Sequence, residues 1–157
     1  MSQSMKRLLL SISLCAFCFC AFSQEILDTA CHFRISESEA TKYSLVIESQ
    51  KVNVSCICMM LRDGQVVKGS VFNEFGIKAF DFVCDTESQK FTMIGAVGFL
   101  KRRAVRKVLG NDFAFALSAK GACHVKNRSF YCENDSEYIL VNDKSKIKYI
   151  FAEISNS

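Results

Sequence analysis

Between Lys51 and Asn73 the chain reads KVNVSCICMMLRDGQVVKGSVFN, with apolar residues recurring at every second position. That spacing places Val52, Val54, Cys56, Cys58 and Met60 on one face of an extended strand, predicted over Lys51 to Leu61. The opposite face carries Asn53 and Ser55, then Ile57, Met59 and Leu61, so it turns apolar toward its end. Asp63-Gly64 is a two-residue hairpin signal, and Val66 to Asn73 is expected to return antiparallel.

The same alternation continues on both sides. Glu74-Phe75-Gly76-Ile77 is the next predicted reversal, with Gly76 free to take a positive φ. Lys78 to Cys84 then runs back, with Phe80, Phe82 and Cys84 on one face and Ile77, Ala79, Asp81 and Val83 on the other. Asp85 to Ser88 is a polar turn before a strand over Lys90 to Ile94. Upstream, Thr29 to Ser36 and Lys42 to Ser49 also read as strands.

The C-terminal third predicts two more hairpins. With Asn127-Arg128 at the first tip, Val125 faces Phe130 and Cys123 faces Cys132. That register makes Cys123 and Cys132 a close, non-hydrogen-bonded pair within disulfide reach. The expectation is therefore a Cys123–Cys132 disulfide, with two buried thiols as the alternative. The second tip falls near Asp143-Lys144, with Leu140 opposite Ile147, Tyr138 opposite Tyr149, and Phe151 further along that face.

One stretch changes period. Ala96 to Leu109, AVGFLKRRAVRKVL, predicts a helix that stops at Gly110-Asn111. Val97, Leu100, Ala104, Val105 and Val108 share one arc; Arg102, Arg103, Arg106 and Lys107 share the other. Asp112 to Ser118 fits either a short helix or a strand. The expected fold class is mainly β (α+β), with eight or nine antiparallel strands and one main helix over an apolar sheet face.

The N-terminus reads differently. Lys6 and Arg7 precede the apolar run LLLSISLCAFCFCAF, and Ala21-Phe22-Ser23 offers a cleavage site, so residues 1–23 read as an export signal cut before Gln24. Cys15, Cys18 and Cys20 lie where a lipoprotein signal carries its cysteine, but Leu14, Phe17 and Phe19 precede them in place of a small residue. Lipidation is thus the second reading. The rest, 24–157, forms one domain without linker or repeat.

Removing Lys6 and Arg7 from the 20 basic residues leaves 18 against 16 acidic ones, a net charge of +2, which excludes a nucleic-acid-binding composition. Fourteen Phe and an apolar half of the chain exclude disorder. Six cysteines remain: Cys31, Cys56, Cys58, Cys84, Cys123 and Cys132. One C-x-C, no C-x-x-C and two histidines predict no metal site and no cofactor. Cys56 and Cys58 point the same way on one strand, which suits packing better than a bond between them.

The segment FNEFGIKAFDF, leading through a strand into FLKRRAVRKVLGNDF, resembles small exported proteins of Bacteroidetes-type bacteria, and through them the lipoprotein-localisation-factor (LolA/LolB-like) superfamily. The AFSQ end of the signal is similar to signals of that phylum. The likeness covers roughly Gly64 to Asp112. It implies a curved, unclosed antiparallel β-barrel plugged by a helix, and a concave cavity that takes lipoprotein acyl chains. It also implies Phe72, Phe80 and Phe82 as cavity wall and Ala96 to Leu109 as plug. The chain ends soon after Ile154, where the superfamily has more strand, so it reads as a short or truncated version.

No catalytic constellation emerges. His32 in a strand and His124 on the outward face of a hairpin are expected to face solvent rather than serve a triad. Glu74 belongs to a turn, and Asp81 shares a face with Ile77, Ala79 and Val83, where it is expected exposed. Two binding features remain. Phe72, Phe80, Phe82, Phe91 and Phe99 are the candidate apolar wall, equally able to be an ordinary core. Lys101, Arg102, Arg103, Arg106 and Lys107 are the candidate surface for an anionic membrane or an acidic partner protein.

The expected function is a periplasmic or outer-membrane cell-envelope binding protein, not an enzyme. It would hold a lipid or lipoprotein acyl chain at about 0.8 kcal/mol per buried methylene. The alternative is a structural or interaction module of the envelope with a filled core.

Overall fold

The computed structural model describes residues 31–155; the export-signal reading and the start of the first predicted strand lie outside them. Nine antiparallel strands form one unclosed, curled sheet with one main helix. The strands are β1 (Thr41–Ser49), β2 (Asn53–Asp63), β3 (Val66–Asn73), β4 (Lys78–Asp85), β5 (Lys90–Ile94), β6 (Cys123–Val125), β7 (Arg128–Asn134), β8 (Glu137–Asn142) and β9 (Ile147–Glu153). Their order is β5-β4-β3-β2-β1-β9-β8-β7-β6, two meanders zipped together where β1 meets β9.

That order dictates where the helix goes. β5 and β6 are the two edges of the sheet, and α1 (Arg103–Ser118) lies between them in the chain. The connection has to cross from one edge to the other, so α1 lies over one face, touching β4, β5 and β8. The inward residues are those the alternation singles out: Cys58 and Met60 on β2, Phe80, Phe82 and Cys84 on β4, Tyr138 and Leu140 on β8, Tyr149 and Phe151 on β9.

A chain without proline builds its turns from side-chain caps. Asn73 Oδ1 accepts the N–H groups of Phe75 and Ile77 at 3.0 and 2.8 Å, and Gly76 takes φ +77° as expected. Asp85 Oδ1 does the same for Glu87 and Ser88.

Several expectations are corrected. Cys31 to Ser36 is not a strand; it crosses under the sheet, with the Ser36 carbonyl accepting from Arg62 N–H. The helix does not run from Ala96 to Leu109. A 3-10 turn covers Gly98–Lys101, the backbone extends at Arg102, and α1 continues through Gly110-Asn111 to Ser118. Gly110 is no terminator, because its missing Cβ makes room for the Phe91 ring, only 3.2 Å from where that atom would sit. The 112–118 segment is accordingly helix.

Both C-terminal hairpins keep their predicted faces but slip by two residues. Lys126, with φ +56°, and Asn127 form the first tip, so Val125 faces Arg128 and Cys123 faces Phe130. The second turn takes four residues, so Leu140 faces Tyr149 and Tyr138 faces Phe151. The Cys123–Cys132 pairing fails with that register. Cys132 is bonded to Cys31, 101 residues away, with Cα atoms 5.5 Å apart.

Candidate functional site

The five phenylalanines of the expected wall separate. Phe80 and Phe82 are buried on the inner face, and Phe91 packs against them. Phe72 is not part of that face. It pairs with Ile57 on the outer side of the sheet, beyond a register shift at Val71, and Val71 takes the inward position. Phe99 is 60% exposed and points away from the core.

The inner face is filled by two rings that sequence reasoning did not assign to it. Phe113 of α1 meets Phe80, Phe82, Phe91, Tyr149 and Phe151, with ring centroids 5.6–6.2 Å apart. Phe33, carried in from the Cys31–Ser36 segment, stacks on Tyr138 at 4.6 Å and meets Tyr43, Phe130 and Phe151. Phe151 touches both, so the rings form one continuous core. Two shallow clefts, of about 510 and about 370 Å³, open at opposite ends of the β1–β9 seam, and none of the five phenylalanines lines either.

Asp112 is fully buried in the middle of α1. A carboxylate there needs partners, and it has three: Arg128 Nε at 2.6 Å, Asn142 Nδ2 at 2.8 and 3.0 Å, and Tyr149 Oη at 2.7 Å. Every partner is a donor, and none is placed to act as base or nucleophile, so the cluster fastens the helix to β7, β8 and β9. Sequence reading placed Asp112 at the start of a segment that fitted either a short helix or a strand, and gave it no role of its own. Its signal was its spacing from Leu109, Phe113 and Ala116, which puts it on the buried arc.

The residues weighed for catalysis stay apart. His32 and His124 are exposed, and His124 Nδ1 shares a hydrogen bond with Ser129 Oγ at 2.7 Å. Asp81 is half-buried rather than exposed. Its carboxylate accepts from Lys78 Nζ at 2.8 Å and Ser70 Oγ at 2.6 Å, and these bonds, Lys78 first, hold it below the usual carboxylate range. Glu74 is exposed in its turn. The C-x-C thiols are not bonded to each other, and burial raises both. Among the described residues no group of His, Cys, Asp and Glu has metal-binding geometry.

The five cations lie where the chain leaves the sheet. Lys101, Arg102, Arg103, Arg106 and Lys107 are exposed. Arg106 is partly committed, because its guanidinium donates to the Met93 carbonyl at 3.1 Å on the open edge of β5. The helix start has no acidic residue in its first turn and no side-chain cap, so its own first turn does not offset its positive end.

The cations have apolar neighbours. Val97 N–H bonds the Ala79 carbonyl, which carries the chain past β5 alongside the start of β4. The 3-10 turn therefore begins beside the β3–β4 turn. Phe75, Ile77 and Phe99 are 79%, 63% and 60% exposed there, and Ile94 and Val97 are about half exposed.

No protein-family model matches the chain, and no curated protein or solved structure is significantly similar to it. Among the described residues no helix is long and apolar enough to cross a membrane.

Proposed function

We propose that this is a non-catalytic interaction module of the cell envelope, exported and folded around a core made of its own side chains. The observation that carries this reading is Phe113. Its ring occupies the inner face between Phe80, Phe82, Tyr149 and Phe151, where an acyl chain would have to lie. Opening that face would withdraw Phe113 and strip Asp112 of Arg128, Asn142 and Tyr149. Export is supported by the signal-like N-terminus and by a disulfide between cysteines 101 residues apart, a bond suited to an oxidising compartment.

The resemblance to the lipoprotein-localisation-factor superfamily favours the other reading, a lipid or lipoprotein carrier whose helix moves aside. The curled, unclosed sheet with its helix over one face fits that as well.

Native mass spectrometry of the protein recovered from the envelope fraction separates the two. A polypeptide mass that does not change after incubation with fatty acids and lipopeptides is the expected result. An added mass that solvent extraction removes would overturn the filled-core reading and restore the carrier.

A further inference from the structure

The corner where β3–β4, β5 and the 3-10 turn meet combines two surfaces that soluble domains usually keep apart. Phe75, Ile77, Ile94, Val97 and Phe99 stand out of the sheet, and Phe75 is held there by a turn that Asn73 clamps through two hydrogen bonds. Single exposed apolar residues need no explanation, but a group of them on neighbouring segments marks a contact surface. Lys101, Arg102, Arg103 and Lys107 follow directly in the chain and are exposed. The local acid is Glu74; Asp81 is neutralised by Lys78. The corner is therefore cationic with protruding rings.

Resting on the reading of an envelope module, we propose that this corner docks on the surface of an anionic lipid bilayer, with Phe75 and Phe99 entering the interface and the cations meeting headgroup phosphates. Charge complementarity selects the occupant. A purely apolar partner would leave the cations unpaired, and a purely acidic protein would leave the rings in water. An anionic bilayer answers both, with negative charge at its surface and hydrocarbon just beneath it.

The test is vesicle flotation of protein recovered from expressing cells, processed as the cell processes it. Phosphatidylcholine vesicles are compared with vesicles that also contain phosphatidylglycerol. Because any other anchor on the chain binds both kinds, the readout is the ratio of the two partition coefficients.

The wild-type ratio is expected at roughly a hundred, falling with salt. Lys101→Gln/Arg102→Gln/Arg103→Gln/Lys107→Gln should bring it near one. Phe75→Ser/Phe99→Ser should lower binding to anionic vesicles roughly tenfold while keeping the salt dependence. All these positions are exposed, so thermal unfolding should be unchanged in both variants. A wild-type ratio near one, or variants that float like wild type, would overturn the proposal. So would capture by immobilised polyglutamate that needs the cations but not the rings, which would assign the corner to an acidic protein. Native mass of the unfloated fraction reports separately on the core, since a lipid adduct there contradicts the filled interior and not the docking.

Discussion

Arg128 Nε donates to Asp112 Oδ1 at 2.6 Å, and this bond ties the middle of the crossing helix to the first residue of β7. The helix enters from the β5 edge, whereas Arg128 belongs to the meander at the other edge. The buried carboxylate thus joins the two halves of the sheet through α1, as β1 and β9 join them through the backbone.

Removing that carboxylate leaves the Asn142 amide and the Tyr149 hydroxyl buried without their acceptor. Asp112→Ala is expected to cost about 3–5 kcal/mol, the range for breaking a buried charged pair from one side. Tyr149→Phe removes one donor and leaves the others, so about 1.5–3 kcal/mol is expected. Urea denaturation of the two variants checks the order. A loss below about 1 kcal/mol for Asp112→Ala would show that the network does not hold the helix.

The phenols of Tyr43 and Tyr149 are both raised, first by burial and then by neighbouring groups, Tyr138 for one and the Asp112 carboxylate for the other. The sign follows from which state keeps the proton. A raised folded value means that the fold binds the proton more tightly, so this contribution is whole below the unfolded phenol value, about pH 10. It is lost as pH rises above that, by about 1.4 kcal/mol per pH unit for each tyrosine. Stability should fall steeply in the alkaline range, and Tyr149→Phe should flatten the slope while lowering the neutral-pH value. Denaturant midpoints at several alkaline pH values measure both.

Cys84 is buried, and desolvation, helped by the Asp85 charge, pushes its thiol up to about 11. Cys58 is also buried and raised. Neither forms thiolate near pH 8, so neither should react with iodoacetamide in the native protein. Both should label on unfolding, with the labelled fraction following the urea transition. Labelling of Cys58 or Cys84 without urea would contradict the packing of β2 and β4.

The strands of the first meander were legible because period-two patterning is a local signal, and Lys78 to Ile94 folds nearly residue for residue as read. Facing was legible in the second meander too, but partners were not. A slip of two residues keeps every side chain on its face, so hydrophobic pattern cannot detect it. The turn chemistry at Lys126 and at Asn142, which accepts Ser145 N–H, sets the register instead.

The helix was misplaced because Gly110-Asn111 carries a stop signal that tertiary packing overrides: Phe91 needs the space that Gly110 leaves. The Cys31 pairing and Phe33 were out of reach because Cys31 to Ser36 alternates as a strand does and so read as one, while its actual position depends on partners about a hundred residues away.

That long-range bond should be strongly stabilising. Cys31–Cys132 closes a loop with a sequence separation of 101, for which chain entropy predicts about 4.7 kcal/mol and measured removals give about 2–5. It also pins the segment that brings Phe33 onto Tyr138. Cys31→Ser/Cys132→Ser should therefore lose about 2–5 kcal/mol, and reductant should destabilise wild type but not the variant. Intact mass after alkylation with and without reductant verifies the bond. A wild type whose urea midpoint ignores reductant would refute its role.

Two glycines face aromatic rings and should respond very differently to the same change. A Cβ on Gly69 would lie 2.4 Å from Phe82 Cζ and 2.7 Å from the Met59 carbonyl oxygen. Phe82 cannot retreat, because Phe91 stacks on it at 5.2 Å and Phe113 meets it at 5.7 Å. The Met59 contact is with backbone. Gly69→Ala should therefore cost about 3 kcal/mol or more, at the upper end of overpacking effects. At Gly110 the nearest atom is Phe91 Cδ1, 3.2 Å away, and Phe91 is only partly buried. A shift of a few tenths of an ångström relieves that contact, while alanine adds about 1 kcal/mol of helix propensity. Gly110→Ala should thus lie within about 1 kcal/mol of wild type. Parallel urea titrations of the two variants decide this. Equal losses would mean that the ring over Gly69 is as free to move as the ring over Gly110.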